Sequence, residues 1–291
     1  MKFWKYTFAA LTLIVFTIWL AVIFSPDDKL HLIACDVGQG DAILATYRKT
    51  QILVDGGPDN QVLSCLSEYL PFWDREIEIV VLSHPQTDHF TGLIEVFKRY
   101  RVQMLLTTPL DASSQSYQVL KRVVGGSGAR VVNAASGMVI RSGLLYLDIV
   151  YPDSKDLALV KASPAQNPND YSIVANLRLG EFEALLTGDI GPKVIDKILA
   201  TGKIKDVDYI KVPHHGSKNG LTKKLLEASM PEMAVISVGK NPWGHPHQEV
   251  LGLLKDYGVA VYRTDEQGHV EVVTDGKSWR LGPPSMEIEM K

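Results

Sequence analysis

Residues 83–93 read SHPQTDHFTGL and follow the apolar run EIEIVVL at 76–82. An apolar strand that ends in a polar loop and leads into the helical pattern TGLIEVFKRY (91–100) is a strand–loop–helix unit. Within this loop His84, Asp88 and His89 arrive close together, so one tight turn can aim several ligands at one point. The competing reading is a helix cap, with Thr87 or Asp88 closing the helix N-terminus and the histidines incidental. Four other strand ends favour the ligand reading. Asp55 follows QILV, Asp189 follows EALLTG, His214 and His215 follow DYIKVP, and His245 and His247 follow VISVGKNPWG. The ends of strands are where α/β folds gather their sites. Neutral imidazole and carboxylate are ligands that suit zinc or manganese.

Outward from this loop the chain alternates strands and helices. HLIACDV, AILATY and QILVDGG read as a β-meander with a turn at Arg48–Lys49, and residues 61–70 carry apolar side chains at helical spacing up to Pro71. SYQVLKRVV (116–124) predicts a helix stopped by Gly125 and Gly126. Residues 153–170, rich in Ser, Pro, Asn and Asp, predict a loop. YSIVANLRLGEFEALLTGD predicts a hairpin around Gly180, and PKVIDKILATG a helix with Pro near its start. Strands and then helices occur twice along the chain, a pattern that suits an α/β sandwich with helices outside two packed sheets.

The 291 residues are 46% hydrophobic and 22% charged, with a formal net charge of −3. This is an ordinary globular composition, and it lacks the basic surplus of a dedicated duplex-DNA binder. A local basic groove stays open. Cys35 and Cys65 form no CxxC pair, so a cysteine zinc site is not indicated. Each lies in an apolar run and reads as a buried thiol, with a disulfide between them as the alternative. Residues 6–24 (YTFAALTLIVFTIWLAVIF) carry no charge and approach the ~20 apolar residues that span a bilayer. Lys2 and Lys5 precede this stretch and Asp27 and Asp28 follow it, which puts the N-terminus inside and the rest of the chain outside the cytoplasmic membrane. A cleaved signal peptide and a buried core helix are the competing readings; IFSPDD is a poor cleavage site, and a core helix usually shows a polar face.

SHPQTDH resembles the HxHxDH signature of the metallo-β-lactamase superfamily. CDVGQGDA (35–42), LVDGG (53–57), LLTGD (185–189), KVPHHGSKNG (211–220) and ISVGKNPWGHP (236–246) resemble the successive motifs of the C-terminal hydrolase domain of the competence protein ComEC. The resemblance covers residues 31–275 and extends to the apolar helix ahead of them, but ComEC's multi-helix channel has no counterpart. It implies an α/β fold, a four-layer αβ/βα metallo-β-lactamase sandwich preceded by one N-terminal transmembrane helix. Residues 1–26 would be the membrane anchor or an uncleaved signal, 27–283 the hydrolase domain and 284–291 a loose tail.

By position in the motifs, the resemblance assigns His84 to a first metal, Asp88 and His89 to a second, and Asp189 to both. His215 best matches the last ligand, with His214 as its rival. Asp170, in NPNDYS, stands where the family's third-motif histidine usually lies. Gln86 replaces the second histidine of HxHxDH, so the first set is weak and the second intact. The expectation is one or two divalent ions, zinc or manganese, with oxygen-rich ligation tilting toward manganese. Asp41 and Asp55 would orient the histidines from behind, or else serve as turn formers. Gln39, Gln86, Ser217 and Lys218 would stand behind the ligands or against the substrate, and Lys211 beside them as a phosphate-binding point charge; the competing reading for both lysines is a solvated surface side chain. Asp88 would also take the proton of the attacking water, and His245 would touch the scissile phosphate or protonate the leaving group. Trp243 reads either as a base-stacking residue or as a core tryptophan.

The function these residues imply is a metal-dependent phosphodiesterase or nuclease outside the cytoplasmic membrane, single-pass anchored, acting in DNA uptake. Its partners would be nucleic acid or another phosphodiester, the membrane through the N-terminal helix, and a separate channel protein. The alternatives are a hydrolase of another envelope phosphodiester and a non-catalytic scaffold of an uptake complex with a degenerate metal site. The sequence is silent on oligomeric state.

Overall fold

The computed structural model describes residues 2–23, 26–162 and 167–283. The first half contains α1 (Lys2–Ile23), β1 (Leu30–Ala34), β2 (Ile43–Tyr47), β3 (Thr50–Val54), α2 (Gln61–Tyr69), β4 (Glu76–Val81), α3 (Thr87–Phe90), α4 (Leu93–Arg99), β5 (Arg101–Thr107), α5 (Gln115–Ser127) and β6 (Arg130–Asn133). The second contains β7 (Val139–Ser142), β8 (Leu145–Tyr151), α6 (Ser154–Ala162), β9 (Val174–Leu179), β10 (Phe182–Leu186), α7 (Pro192–Ala200), β11 (Tyr209–Lys211), α8 (Lys223–Ser229), β12 (Met233–Ile236), α9 (Gln248–Asp256) and β13 (Ala260–Arg263). The chain then adds α10 (Thr264–Gln267), β14 (Val270–Thr274) and β15 (Trp279–Leu281). The segment 284–291, expected to be a loose tail, lies outside the described residues.

Two sheets result, in the orders β15-β14-β1-β2-β3-β4-β5-β6 and β13-β12-β11-β10-β9-β8-β7. In each, an antiparallel meander passes into a parallel run: β3-β4-β5-β6 in the first sheet and β10-β11-β12-β13 in the second. The strand period of two divides the side chains between layers. Leu30, Leu32 and Ala34 of β1 face the core between the sheets with Leu177, Ala184 and Val235 of the other sheet. Ile33 faces the opposite way and packs with Leu66, Leu93 and Leu120 from α2, α4 and α5. On the far side, Ile195, Leu226 and Leu254 from α7, α8 and α9 cover Leu185, Ile210 and Ala234. The layers are therefore helix, sheet, sheet, helix, as the motif resemblance implied. Each fully buried Leu, Ile or Val contributes roughly 1.5–3 kcal/mol.

Three local expectations change. Helix α5 runs through Gly125 and Gly126 and ends at Gly128, whose φ of 79° is the left-handed C-terminal conformation. Gly125 and Gly126 face open space. Their cost, about 1 kcal/mol each against alanine, is offset by burial of Tyr117, Leu120 and Val124. Part of the expected loop 153–170 is α6, whose start is held by Asp156 N donating to Asp153 Oδ1 (2.8 Å). Cys35 and Cys65 are not free thiols: they form a buried disulfide, Cα–Cα 5.8 Å, between the end of β1 and α2.

The N-terminal apolar stretch is helical as far as Ile23, and the side chains from Trp4 to Trp19 are exposed. Among the described residues, no helix is long and apolar enough to cross a membrane.

His31 ties β1 to β14. Its Nδ1 lies 2.6 Å from Glu271 Oε1 and its Nε2 3.1 Å from Asp27 Oδ1. The hydrogen bond to Glu271 outweighs burial and raises the histidine pKa. A raised folded-state pKa stabilises fully below the unfolded value of about 6.5, and the benefit fades as pH rises through the folded value. His31→Gln is therefore expected to cost about 1 kcal/mol or less at about pH 5.5 and less still at about pH 9. Urea unfolding at the two pH values measures it; an equal cost at both would discard the charged pair.

Candidate metal centre

The polar strand ends meet at the C-terminal ends of the parallel strands of both sheets. Asp55 follows β3 with φ 61°. Its Oδ1 accepts from Ser83 N (2.7 Å), and its Oδ2 accepts from Ser83 Oγ (2.6 Å) and His89 Nδ1 (2.8 Å). Because Ser83 gives its proton to Asp55, its oxygen is left to accept from His84 Nδ1 (2.9 Å). His215 Nδ1 donates to Ser237 O (2.9 Å). All three rings therefore spend Nδ1 on a hydrogen bond and leave Nε2 for the cluster.

Gln86 occupies the N-cap of α3 without a side-chain cap bond, so capping does not explain Asp88. The loop is set by close backbone contact: Asp41 N donates to Asp88 O (3.2 Å), and a Cβ on Gly40 would lie 2.3 Å from that oxygen. On the other half, His214 and His215 both take left-handed conformations, φ 54° and 53°. For non-glycine residues such backbone is strained, and it persists where surrounding contacts impose it, often at functional sites. Here it turns His215 inward and His214 toward the cleft.

Four atoms then converge. His89 Nε2 lies 3.4 Å from Asp189 Oδ2 and 3.9 Å from Asp88 Oδ2. His215 Nε2 lies 3.5 Å from each of the same two oxygens. Tetrahedral ligands at about 2.0–2.1 Å from one ion stand roughly 3.3 Å apart, so the set is close to the right size. Among the described residues, His84 Nε2, His89 Nε2, Asp189 Oδ2 and His215 Nε2 are buried without a hydrogen-bond partner. A buried polar atom left so is costly, and a shared cation would satisfy those of His89, Asp189 and His215. His84 is adjacent, its ring centroid 4.2 Å from that of His89.

Asp41, His89, Asp189 and His215 also group by mutual ligand-atom distance. Asp41, however, approaches the histidines from behind: its oxygens lie 3.7 Å from His89 Nδ1 and 3.5 Å from His215 Nδ1. We therefore read Asp88, not Asp41, as the fourth donor on the Nε2 side. Asp41 instead pairs with Lys211, whose Nζ also lies 3.0 Å from Gly188 O and 3.3 Å from Asp189 Oδ1. Lys211 is 1% exposed. It binds no phosphate, contrary to the sequence expectation; it is an internal cation that occupies Asp189 Oδ1 and leaves Oδ2 for the cluster.

The electrostatics agree. Burial opposes charge on the His89 ring, yet Asp189 and Asp55 hold its pKa well above the ordinary value. Burial likewise opposes charge on His215, and Asp189 and Asp41 again prevail. This is a pocket that draws positive charge. Burial and the neighbouring His89 press the His84 pKa down to about 3, so His84 is neutral and fit to ligate. Burial pushes Asp88 up, but the His215 ring and the charge of His89 bring it to about 2.

Asp170 is not brought to the cluster. Its Oδ2 lies 3.5 Å from Lys193 Nζ on the outside. From that segment it is Ser172 that reaches inward, accepting from Asp189 N (3.3 Å). His214 Nε2 is 4.0 Å from Asp189 Oδ2 and lines the cleft, a place that suits substrate contact better than ligation. The cleft, about 1190 Å³, opens over the cluster and is also lined by Gln39, Gln86, Ser217, Lys218, Trp243 and His245. Burial and then His214 and His215 lower the His245 pKa to about 4, so its ring is neutral at neutral pH and donates a hydrogen bond rather than supplying a proton. Sequence reading missed Ser83, Ser172 and the inward Lys211. The last was signalled by its position in β11, two residues from the buried Tyr209 on the same face.

No family model matches the chain. It is 24% identical over 277 residues to ComE operon protein 3 of Bacillus subtilis (strain 168), covering 89% of this chain and 34% of that protein. It is 30% identical over 242 residues to Recombination protein 2 of Haemophilus influenzae, covering 81% and 28%. The chain thus spans about a third of the length of the curated relatives it matches. Among solved structures it is similar to the metallo-β-lactamase fold protein YhfI from Bacillus subtilis, with a TM-score of 0.57 and 11% identity over 84% of this chain and 100% of that one.

Proposed function

We propose that this chain, which has the metallo-β-lactamase fold and resembles the C-terminal hydrolase domain of ComEC, is a metal-dependent phosphodiesterase acting on nucleic acid outside the cytoplasmic membrane. The observation that carries the reading is the convergence of Asp88 Oδ2, His89 Nε2, Asp189 Oδ2 and His215 Nε2 at single-ion spacing under an open cleft. A divalent ion held there supplies Lewis-acid chemistry, activating water and neutralising phosphoryl charge. The ionised Asp88, on the cleft side, orients the attacking water. His214 and His245, each with one N–H in the neutral ring, donate hydrogen bonds to the phosphoryl oxygens, and Lys218 adds a point charge at the cleft wall. The fold hosts many chemistries, so the choice of phosphodiester rests on this site and on the relatives' names, which connect them to competence and recombination.

The location has three supports: the uncharged stretch 6–24, the Lys2, Lys5 versus Asp27, Asp28 asymmetry, and a buried disulfide, which persists in oxidising compartments. The uncharged stretch 6–24, read from sequence, is the proposed single-pass anchor, and a separate channel protein the proposed partner.

The test is metal content and cleavage of bis-p-nitrophenyl phosphate by the purified full-length chain, with a chromogenic cephalosporin as control. Bound metal with cleavage of the phosphodiester alone supports the reading. A folded protein with neither metal nor cleavage overturns it in favour of the scaffold. Around His84, Gln86 replaces a second histidine and Asp170 is turned away, so one firmly bound ion is expected. Gln86→His is expected to raise metal stoichiometry from near one toward two in an elemental assay, since imidazole is a far better ligand than carboxamide. An unchanged stoichiometry would show that the first site fails for another reason.

A further inference from the structure

The cleft rim presents an exposed indole on a rigid mount. Trp243 is 60% exposed. Its loop is clamped by Asn241, whose Oδ1 accepts from Trp243 N (3.1 Å) and His245 N (3.0 Å) and whose Nδ2 donates to Gly239 O and His245 O (both 2.8 Å). The indole is therefore held outward by a loop tied together through all the bonds of the Asn241 amide. Leaving so large an apolar surface in water forgoes burial free energy, which a flat ligand would recover. From Trp243 a row of rings leads inward: His245 at 6.1 Å, His214 a further 5.8 Å on, and His215 another 6.4 Å, centroid to centroid. The row connects the rim to the metal cluster. Lys218 and Lys240 line the same cleft.

We propose that Trp243 is a nucleobase platform, holding one unpaired base of a single strand at the rim while its phosphates pass Lys218 and Lys240 toward the cluster. This inference rests on the phosphodiesterase reading and adds a substrate form. Every base offers a π-face, so stacking is indifferent to sequence, but a base inside a duplex has no free face to offer. A platform at the mouth therefore selects single strands.

The experiment uses the full-length chain in detergent with its metal in place, and oligonucleotides carrying phosphorothioate linkages so that cleavage is suppressed. Fluorescence anisotropy compares a short labelled single-stranded oligonucleotide with its abasic counterpart. Wild type is expected to bind the base-bearing strand about 5- to 150-fold more tightly, the range for one stacked base. Trp243→Ala is expected to bind both strands equally weakly while keeping its metal stoichiometry and melting temperature. Trp243→Phe is expected to recover most of the preference. A wild type that does not distinguish the two strands, or a Trp243→Ala that does so as wild type does, overturns the proposal. Cleavage of bis-p-nitrophenyl phosphate is scored apart. Cleavage without base preference removes the platform and leaves the hydrolase; base preference without cleavage does the reverse.

Discussion

Asp189→Ala is expected to lower metal affinity by more than about a hundredfold and to abolish phosphodiester cleavage with it. Even an outer hydrogen-bond partner of a ligand is commonly worth roughly 10–100-fold in metal affinity, and Asp189 Oδ2 stands between the two histidine Nε2 atoms at 3.4 and 3.5 Å. The substitution also removes one of two carboxylates from the buried Lys211. Breaking a buried pair on one side typically costs about 3–5 kcal/mol, so the alanine variant is expected to melt lower even without metal. Asp189→Asn keeps the volume and a hydrogen-bond acceptor for Lys211 but weakens ligation. It separates the two effects: metal loss with a smaller change in melting temperature. Calorimetric metal titration and thermal unfolding of both variants are the measurements. An Asp189→Asn protein that binds metal as wild type does would remove Asp189 from the ligand set.

Loss of the disulfide is the second large effect. It closes a loop of 30 residues between β1 and α2. The loop-closure model gives about 3–4 kcal/mol for that length. The Cys35→Ser, Cys65→Ser double variant is expected to show a loss of that size in urea unfolding, and reductant is expected to have the same effect on wild type. Because the bond is buried, reduction should be slow until the protein opens. A variant as stable as wild type would mean the bond adds nothing to folding.

Much of the site could be read from sequence because strand ends announce themselves. In EIEIVVLSH and EALLTGD the apolar alternation stops at the residue that turns into the site, so His84 and Asp189 were marked by position alone. What spacing could not show was direction. Asp170 lies at the expected distance before β9, but the 3₁₀ turn that carries it points it at Lys193 and sends Ser172 inward. Lysine is usually solvated, so Lys211 read as a phosphate contact, and only the register of β11 places it against Asp41. Glycine usually ends a helix, yet Gly125 and Gly126 stay inside α5 because tertiary burial outweighs their propensity. The cysteine pairing needed the geometry that brings α2 onto β1.

The duplicated arrangement of the sheets bears on more than shape. Asp88 and His89 belong to the half built around the first sheet, whereas Asp189 and His215 belong to the half built around the second. An ion held by all four would act as a rivet between the halves, joining parts of the chain that fold around separate helical layers. Stripping it would slacken the whole seam rather than one loop. Metal availability would then govern mechanical integrity as well as chemistry.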